Sequence, residues 1–514
     1  MKFPIGIQQF DKLRTGGWVY VDKTALIHKM VNEGTCCFLS RPRRFGKSLL
    51  VSTLEAYFQG RKDLFEGLAI AELETEWKVY PVLHFDLNAK AFTSLQDLYD
   101  VLNDQLIIYE QLYESVAVDK SPEGRLRQIL RMAYKKTGER AVILVDEYDK
   151  PLLQNIVNVG LQDEMRNALK AFYGVLKSMD GHIKFALLTG VSKFGKVSVF
   201  SDLNNLRDLS MLEQYSGICG ISEKELHLYF RNEISEMAEK HEVSYEEMAD
   251  MLRQNYDGYH FAPNTEGMYN PFSLLNVFAN KRFANYWFET GTPTYLVELL
   301  KNSNYDLSKL QNSHSTDNVL NAIDVYGNDP IPVIYQSGYL TIKSYDPEFM
   351  IYTLDFPNKE VEEGFVRFLA PLYSPMPNEA ESVFTIQNFL REVRCGDIDG
   401  FLTRLRSFFS DTTYEVIRLQ ELHYSNVLYI VFKLLGFYTQ VEYKTSNGRV
   451  DLVLQTPNYI YVMEFKLNGS AQEALQQIVN KGYALPFEKD SRKLYKIGIN
   501  FSAKTRNIDE WVVA

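Results

Sequence analysis

The run AVILVDEYDK (141–150) restricts the fold more than any other stretch of the chain. Five consecutive apolar residues, Ala141 to Val145, leave no polar face, so a strand made from them has to be covered on both sides, as central strands of parallel sheets are. Asp146 and Glu147 follow at once, at the carboxyl end, where open α/β sheets collect their ligands. The expected fold class is therefore α/β. Further strand-like runs at 35–40, 80–87 and 183–190 alternate with helical patterns, which predicts a parallel sheet with helices on both faces over residues 1–215.

The stretch RPRRFGKSLL (41–50) lies between a short apolar run, TCCFLS (35–40), and a helical pattern, SLLVSTLEAYFQ (48–59). In that order the loop amides and the positive end of the helix meet at one point, where an anion gains from both. The phosphate-loop pattern G-x-x-x-x-G-K-[ST] is met by Gly46, Lys47 and Ser48, but Arg41 stands in the place of the first glycine. Alone, the tripeptide could be no more than a basic helix start; a strand ending in two acids about a hundred residues later favours a nucleotide site. The candidate ATP-binding residues are Arg41, Pro42, Arg43, Arg44, Phe45, Gly46, Lys47, Ser48 and Leu49, with the three arginines adding charge around the phosphates. Ser48 and Asp146 are the expected Mg²⁺ ligands, and Glu147 the acid for the attacking water. Arg41 is expected to be strained, since it cannot take glycine's positive φ cheaply. IKFALLTG (183–190) leads to Thr189 and Ser192, which are either sensors of the γ-phosphate or ordinary helix caps.

A second constellation lies near the end. GRVDLVLQTPNYIYVMEFKLNGS (448–470) reads as a hairpin turning at TPN, with Asp451 on the first strand and Glu464 and Lys466 on one face of the second. Two carboxylates and a lysine suit magnesium-dependent phosphodiester cleavage: the acids hold the cation, and the lysine orients the nucleophile or steadies negative charge. E-F-K by itself would be an ordinary solvated strand edge.

Four stretches together resemble the bacterial predicted AAA-ATPase-like proteins, which join an ATPase domain to a nuclease-like C-terminal domain: IGIQQFDKLRTGGWVYVDKT (5–24), RPRRFGKSLLVSTLEAYFQG (41–60), VILVDEYDKPL (142–152) and LLTGVSKFGKVSVFSDLNNL (187–206). In that family arginine is the usual residue before the proline, so Arg41 looks like a family trait. The C-terminal pattern is similar to the D-x(n)-E-x-K signature of the PD-(D/E)XK nuclease superfamily, whose α/β restriction-endonuclease-like core has a glutamate on a preceding helix and a glutamine on a following one. ELHYSNVLYIVFKLLGF (421–437) supplies Glu421, and AQEALQQIVNKGY (471–483) supplies Gln477. The resemblance implies Glu421, Asp451, Glu464 and Lys466 as active-site residues, Gln477 as an accessory one, and Asp451 and Glu464 as metal ligands. It also implies a P-loop AAA-like ATPase domain at 1–215, a helical lid or winged-helix-like region at 216–320, a connector at 321–375 and a nuclease-like domain at 376–514.

At 514 residues the chain is too long for one core. With 46% apolar and 24% charged residues it is neither disordered nor fibrous. No apolar run approaches ~18 residues, and the N-terminus lacks a basic start with a long apolar stretch, so a cytoplasmic protein without membrane contact is expected. Cys36, Cys37, Cys219 and Cys395 have no metal-ligand spacing and are expected to stay reduced. The net charge is −11, yet residues 441–514 carry ten Lys and Arg against eight Asp and Glu, so the nuclease-like end is the part less hostile to nucleic acid. QNYDGYHFAPNTEGMYNPFS (254–273) reads as a structured loop or hairpin, with tyrosines that either pack or touch the nucleotide. Two functions of different class follow: an ATP-dependent nuclease acting on nucleic acid, DNA before RNA, or a nucleotide-controlled switch whose C-terminal domain only binds. A homo-oligomer is allowed by either.

Overall fold

The structure, a computed structural model, describes all of the chain except residues 89, 194–204, 290–295, 297–298, 301–304, 321–328, 374–378, 411–419, 437–439, 447–448 and 506. It divides into two compact units, Met1–Ser303 with Asn312–Val361, and Asn304–Gln311 with Glu362–Ala514.

The first unit is built on β1 (Cys36–Ser40), β2 (Val82–Asp86), β3 (Ala141–Asp146), β4 (Ile183–Gly190) and β5 (Arg207–Asp208). The sheet order is β2-β3-β4-β1-β5 and every pairing is parallel. All six residues of β3 are buried. Since successive side chains point to opposite faces, both faces are covered, as the unbroken apolar run requires. Helix α1 (Lys47–Phe58) packs against β2, β3 and β4, while helices Leu95–Tyr113 and Pro122–Thr137 pack against β2 and β3. β4 lies between β1 and β3, so the loop after β1 and the acids after β3 flank the end of β4.

Beyond residue 220 the chain turns helical. Glu223–Tyr229, Arg231–His241, Tyr245–Tyr256 and Pro271–Asn280 surround Leu226, Phe230, Ile234, Met248, Leu252 and Phe278. Ser222 and Ser244 close capping boxes with Glu225 and Glu247, satisfying amides that would otherwise lie open at the helix starts. The segment 254–273 is a structured connection: Tyr259 bridges Met268, and the strand pair β6 (Ile221–Ser222) and β7 (Met268–Tyr269) closes it. A three-stranded antiparallel sheet follows, from β8 (Ser313–Thr316), β9 (Thr341–Asp346) and β10 (Ile351–Asp355), in the order β8-β10-β9.

The second unit carries β11 (Gln440–Ser446), β12 (Arg449–Gln455), β13 (Tyr459–Leu467), β14 (Lys493–Ser502) and β15 (Asn507–Val513), hydrogen-bonded in sequence order. Only the β13/β14 pair is parallel, and the required crossover is the helix Ala471–Asn480. Helices Glu379–Cys395, Ile398–Ser410 and α2 (Gln420–Gly436) precede the sheet; the crossover helix is α3. Among the described residues no helix is long and apolar enough to cross a membrane.

Candidate functional site

The loop between β1 and α1 turns on Gly46, the N-cap of α1, at φ 91 and ψ 20. A side chain there would meet no neighbour, so the requirement is for the positive φ itself. The strain expected at Arg41 falls instead three residues later: Arg44 has φ 68, whereas Arg41 is not among the positive-φ residues. Arg41 is also turned inward. It is 1% exposed, donates to the carbonyls of Ser40 (2.9 Å), Ser210 (2.8 Å) and Tyr215 (3.0 Å), and lies 4.0 Å over the Phe261 ring. Burial draws its pKa down to about 10. The expectation that its charge surrounds the phosphates is thereby corrected: a guanidinium already committed to three carbonyls braces the loop from within. Arg43 and Arg44 remain exposed.

Every residue from Arg41 to Phe45 except Pro42 has a named brace in the 210–290 segment. The indole of Trp287 donates to the Arg43 carbonyl (3.2 Å), Arg44 lies 4.9 Å over Phe272, and Phe45 meets Tyr259 and Phe261 edge-on at 4.7 and 5.3 Å. Pro42 faces Gly338. The tyrosine-rich segment thus packs the loop.

Lys47 is 4% exposed. Its Nζ donates to the carbonyls of Arg41 (3.1 Å) and Pro42 (3.3 Å) and stands 3.6 Å from Glu147 Oε1. Ser48 and Leu49 lie in the first turn of α1, both half-buried. Asp146 ends β3, and its Oδ1 accepts from Thr189 Oγ1 (2.6 Å) and the Glu147 amide (3.1 Å). Glu147 has a left-handed backbone, φ 54. Ser192 donates through its hydroxyl to Asp149. Thr189 and Ser192 therefore each face an acid of the β3 turn, and neither caps a helix among the described residues. Beside Gly46 an apolar cavity of about 100 Å³ is lined by Tyr20, Ile27, Phe45, Leu49, Leu50 and Cys219, among others.

In the second unit the ladder sets Asp451 directly opposite Glu464. Lys466 shares a face with Glu464, its Nζ 3.8 Å from Glu464 Oε1, and it donates to Gln477 on α3. Glu464 is fully buried, and Gln477 Nε2 is buried without a hydrogen-bond partner among the described residues. Glu421 is in the first turn of α2. Its side chain and that of Asp451 lie outside the described residues.

Residues 4–200 match the family described as Predicted AAA-ATPase, and residues 419–511 match the PD-(D/E)XK nuclease superfamily. A protein of Azotobacter chroococcum mcd 1, named "Uncharacterized protein in vnfD 5'region", is 36% identical over 526 residues, covering all of this chain and 98% of the relative. The chain belongs to the predicted AAA-ATPase family, with a C-terminal domain of the PD-(D/E)XK nuclease superfamily.

P-loop ATPase-like and PD-(D/E)XK domains are generally magnesium-dependent, and the residues present fit a cation at each candidate centre. Among the described residues no three His, Cys, Asp or Glu converge as a metal cage. Magnesium rarely uses one; it binds through one or two carboxylates together with water and substrate phosphates. Asp146, held in place by Thr189, and the Ser48 hydroxyl offer such a set at the phosphate loop. In the nuclease-superfamily domain, the facing positions of Asp451 and Glu464 offer another.

The residue that sequence reasoning did not single out is Asp149. It is fully buried and accepts from the amides of Val191 (3.1 Å) and Ser192 (2.5 Å) and from the Ser192 hydroxyl. Its sequence signal is only a third acid in VDEYD, indistinguishable from a solvated turn residue.

Proposed function

We propose that the first unit binds and hydrolyses ATP with Mg²⁺ and that nucleotide state governs a magnesium-dependent phosphodiesterase centre in the second unit, acting on nucleic acid, DNA before RNA. The observation that carries the reading is the convergence, at the carboxyl ends of the three inner strands of a parallel sheet, of Lys47, Glu147 and the Asp146–Thr189 pair. Lys47 gives up two backbone carbonyls to reach the β- and γ-phosphates, while the loop amides and the start of α1 receive the rest of the charge. Bound Mg²⁺ would neutralise phosphate charge, with Ser48 and Asp146 as its protein ligands. Glu147 orients the attacking water, and Thr189 fixes Asp146. Arg43 and Arg44 add charge at the loop's exposed side, and the apolar cavity beside Gly46 takes the base.

In the second unit Asp451 and Glu464 would hold the cation, whose contribution when bound would be to polarise the phosphodiester and activate water. Lys466, tethered to Gln477, steadies the negative charge that builds on phosphate. Gln477 Nε2, the accessory group, is a buried donor that a bound phosphate would satisfy, and Glu421 is assigned as a further acid of the same active site. A cytoplasmic setting agrees with four free thiols, three of them buried.

The test is purified protein with plasmid, linear DNA and RNA, with Mg²⁺ or Mn²⁺, with and without ATP. Wild type is expected to cleave DNA, and Lys466→Ala to lose at least about a hundredfold of that rate while keeping its ATP turnover. No cleavage by wild type under any metal or substrate would reduce the second unit to a binding module.

A further inference from the structure

The turn that carries Glu147 is held at both ends. On its near side Asp146 Oδ1 accepts from the Glu147 amide at 3.1 Å and from Thr189 Oγ1 at 2.6 Å. The Tyr148 amide then donates to the Thr189 carbonyl (3.0 Å), its hydroxyl donates to the Ser192 carbonyl (3.0 Å), and its ring meets Phe38 of β1 edge-on at 5.4 Å. On its far side the Asp149 carboxylate gathers the Val191 amide, the Ser192 amide and the Ser192 hydroxyl. The same β4 loop reaches the phosphate loop, since the Arg41 amide donates to the Gly190 carbonyl at 3.1 Å.

Asp149 is the unusual member of this set. Its exposure is 0%, and its hydrogen bonds come from two amides and a hydroxyl rather than from a cation. A fully desolvated carboxylate costs several kcal/mol unless something repays it. Its neighbour Glu147 adds like charge, and Lys47 is the cation that acts on both. Glu147 meanwhile holds a left-handed backbone, which a residue with a Cβ takes only when its surroundings impose it.

We propose that Asp149 is a positioning residue for ATP hydrolysis: through Val191 and Ser192 it locks the β4 loop to the β3 turn and thereby fixes the backbone that aims Glu147 at its water. The inference rests on the ATPase reading and adds to it a residue that touches neither nucleotide nor metal. Its consequence is a split between binding and turnover. A change at residue 149 removes no hydrogen bond made by Lys47 or by the phosphate loop itself, so ATP affinity persists. Misplacement of Glu147 lowers kcat.

The experiment compares wild type, Glu147→Gln, Asp149→Asn, Ser192→Ala and the double variant Asp149→Asn/Ser192→Ala for nucleotide affinity and steady-state turnover. Asp149→Asn is expected to lower kcat about ten- to a hundredfold, with ATP affinity within about threefold of wild type. Ser192→Ala, which removes only one hydroxyl, is expected to lower kcat by a smaller factor. The double variant is expected to be no slower than Asp149→Asn, because both changes break the same contact. Should Asp149→Asn fail to fold, Ser192→Ala carries the test alone: reduced kcat at unchanged affinity supports the inference, and a wild-type rate overturns it. It is likewise overturned by a wild-type kcat in folded Asp149→Asn, by equal loss of affinity and kcat, or by multiplicative effects in the double variant. Wild type that does not hydrolyse ATP overturns the ATPase reading itself, and this inference with it.

Discussion

The role proposed for Asp149 ties catalysis to stability in a way that acid titration can expose. Burial first, and the Glu147 charge second, push its pKa up to about 6 against the hydrogen bonds from Ser192 and the field of Lys47. An unfolded aspartate titrates near ~3.9. Between these values the native state binds the proton more tightly, so this group's contribution to stability is full below about pH 4, declines towards about pH 6 and is level above it. Asn carries no such titration. The unfolding free energy of Asp149→Asn, taken relative to wild type by urea unfolding, is therefore expected to rise by on the order of 3 kcal/mol from about pH 4 to about pH 7. A difference independent of pH would contradict a buried, ionising Asp149. At neutral pH the charged carboxylate is thus a cost to the fold, the pattern of a group kept for what it positions. Arg41 shows what a sequence cannot display at this scale. Its identity and place in the loop are plain, but the carbonyls of Ser210 and Tyr215 that absorb its guanidinium lie about 170 residues away.

At the scale of elements, legibility followed burial. β1, β3 and β4 are predominantly apolar strands covered on both faces along most of their length, so each is readable within a residue or two of its observed ends. β5 is two residues long and exists only because β1 offers it an edge; no local pattern marks it. The hairpin of β12 and β13 turns where Thr456-Pro457-Asn458 interrupt two apolar runs, and its register sets Asp451 against Glu464. The Lys466–Gln477 contact depends on how closely α3 approaches the sheet, and a glycine on another strand allows it. A Cβ on Gly498 would stand 2.1 Å from the Ala471 carbonyl oxygen and 2.4 Å from the Leu475 amide nitrogen. Gly498 pairs with Glu464, so α3 crosses β14 beside the buried acid. Gly498→Ala is expected to cost about 1–3 kcal/mol by forcing α3 off the sheet, and to weaken the hold of Gln477 on Lys466. Chemical denaturation checks the first effect and residual cleavage the second; unchanged stability would mean that the helix has room the packing denies it.

At the scale of the whole molecule, two centres occupy two compact units, and the acidic charge is unevenly shared between the ends of the chain. The phosphate loop and the residues that brace it, Tyr259, Phe261, Phe272 and Trp287, belong to the first unit, so under the proposed ATPase reading a nucleotide on the loop would bear on the helical segment through these contacts. The roles of Lys47 and Glu147 are the point on which the account stands, because each removes a different step. ATP affinity and ATP turnover measured side by side for wild type, Lys47→Ala and Glu147→Gln test it most directly. The account predicts that Lys47→Ala loses tight ATP binding, whereas Glu147→Gln binds ATP as wild type does and turns it over at least about a hundredfold more slowly. Equal loss of binding in both variants, or undiminished turnover in Glu147→Gln, would contradict it.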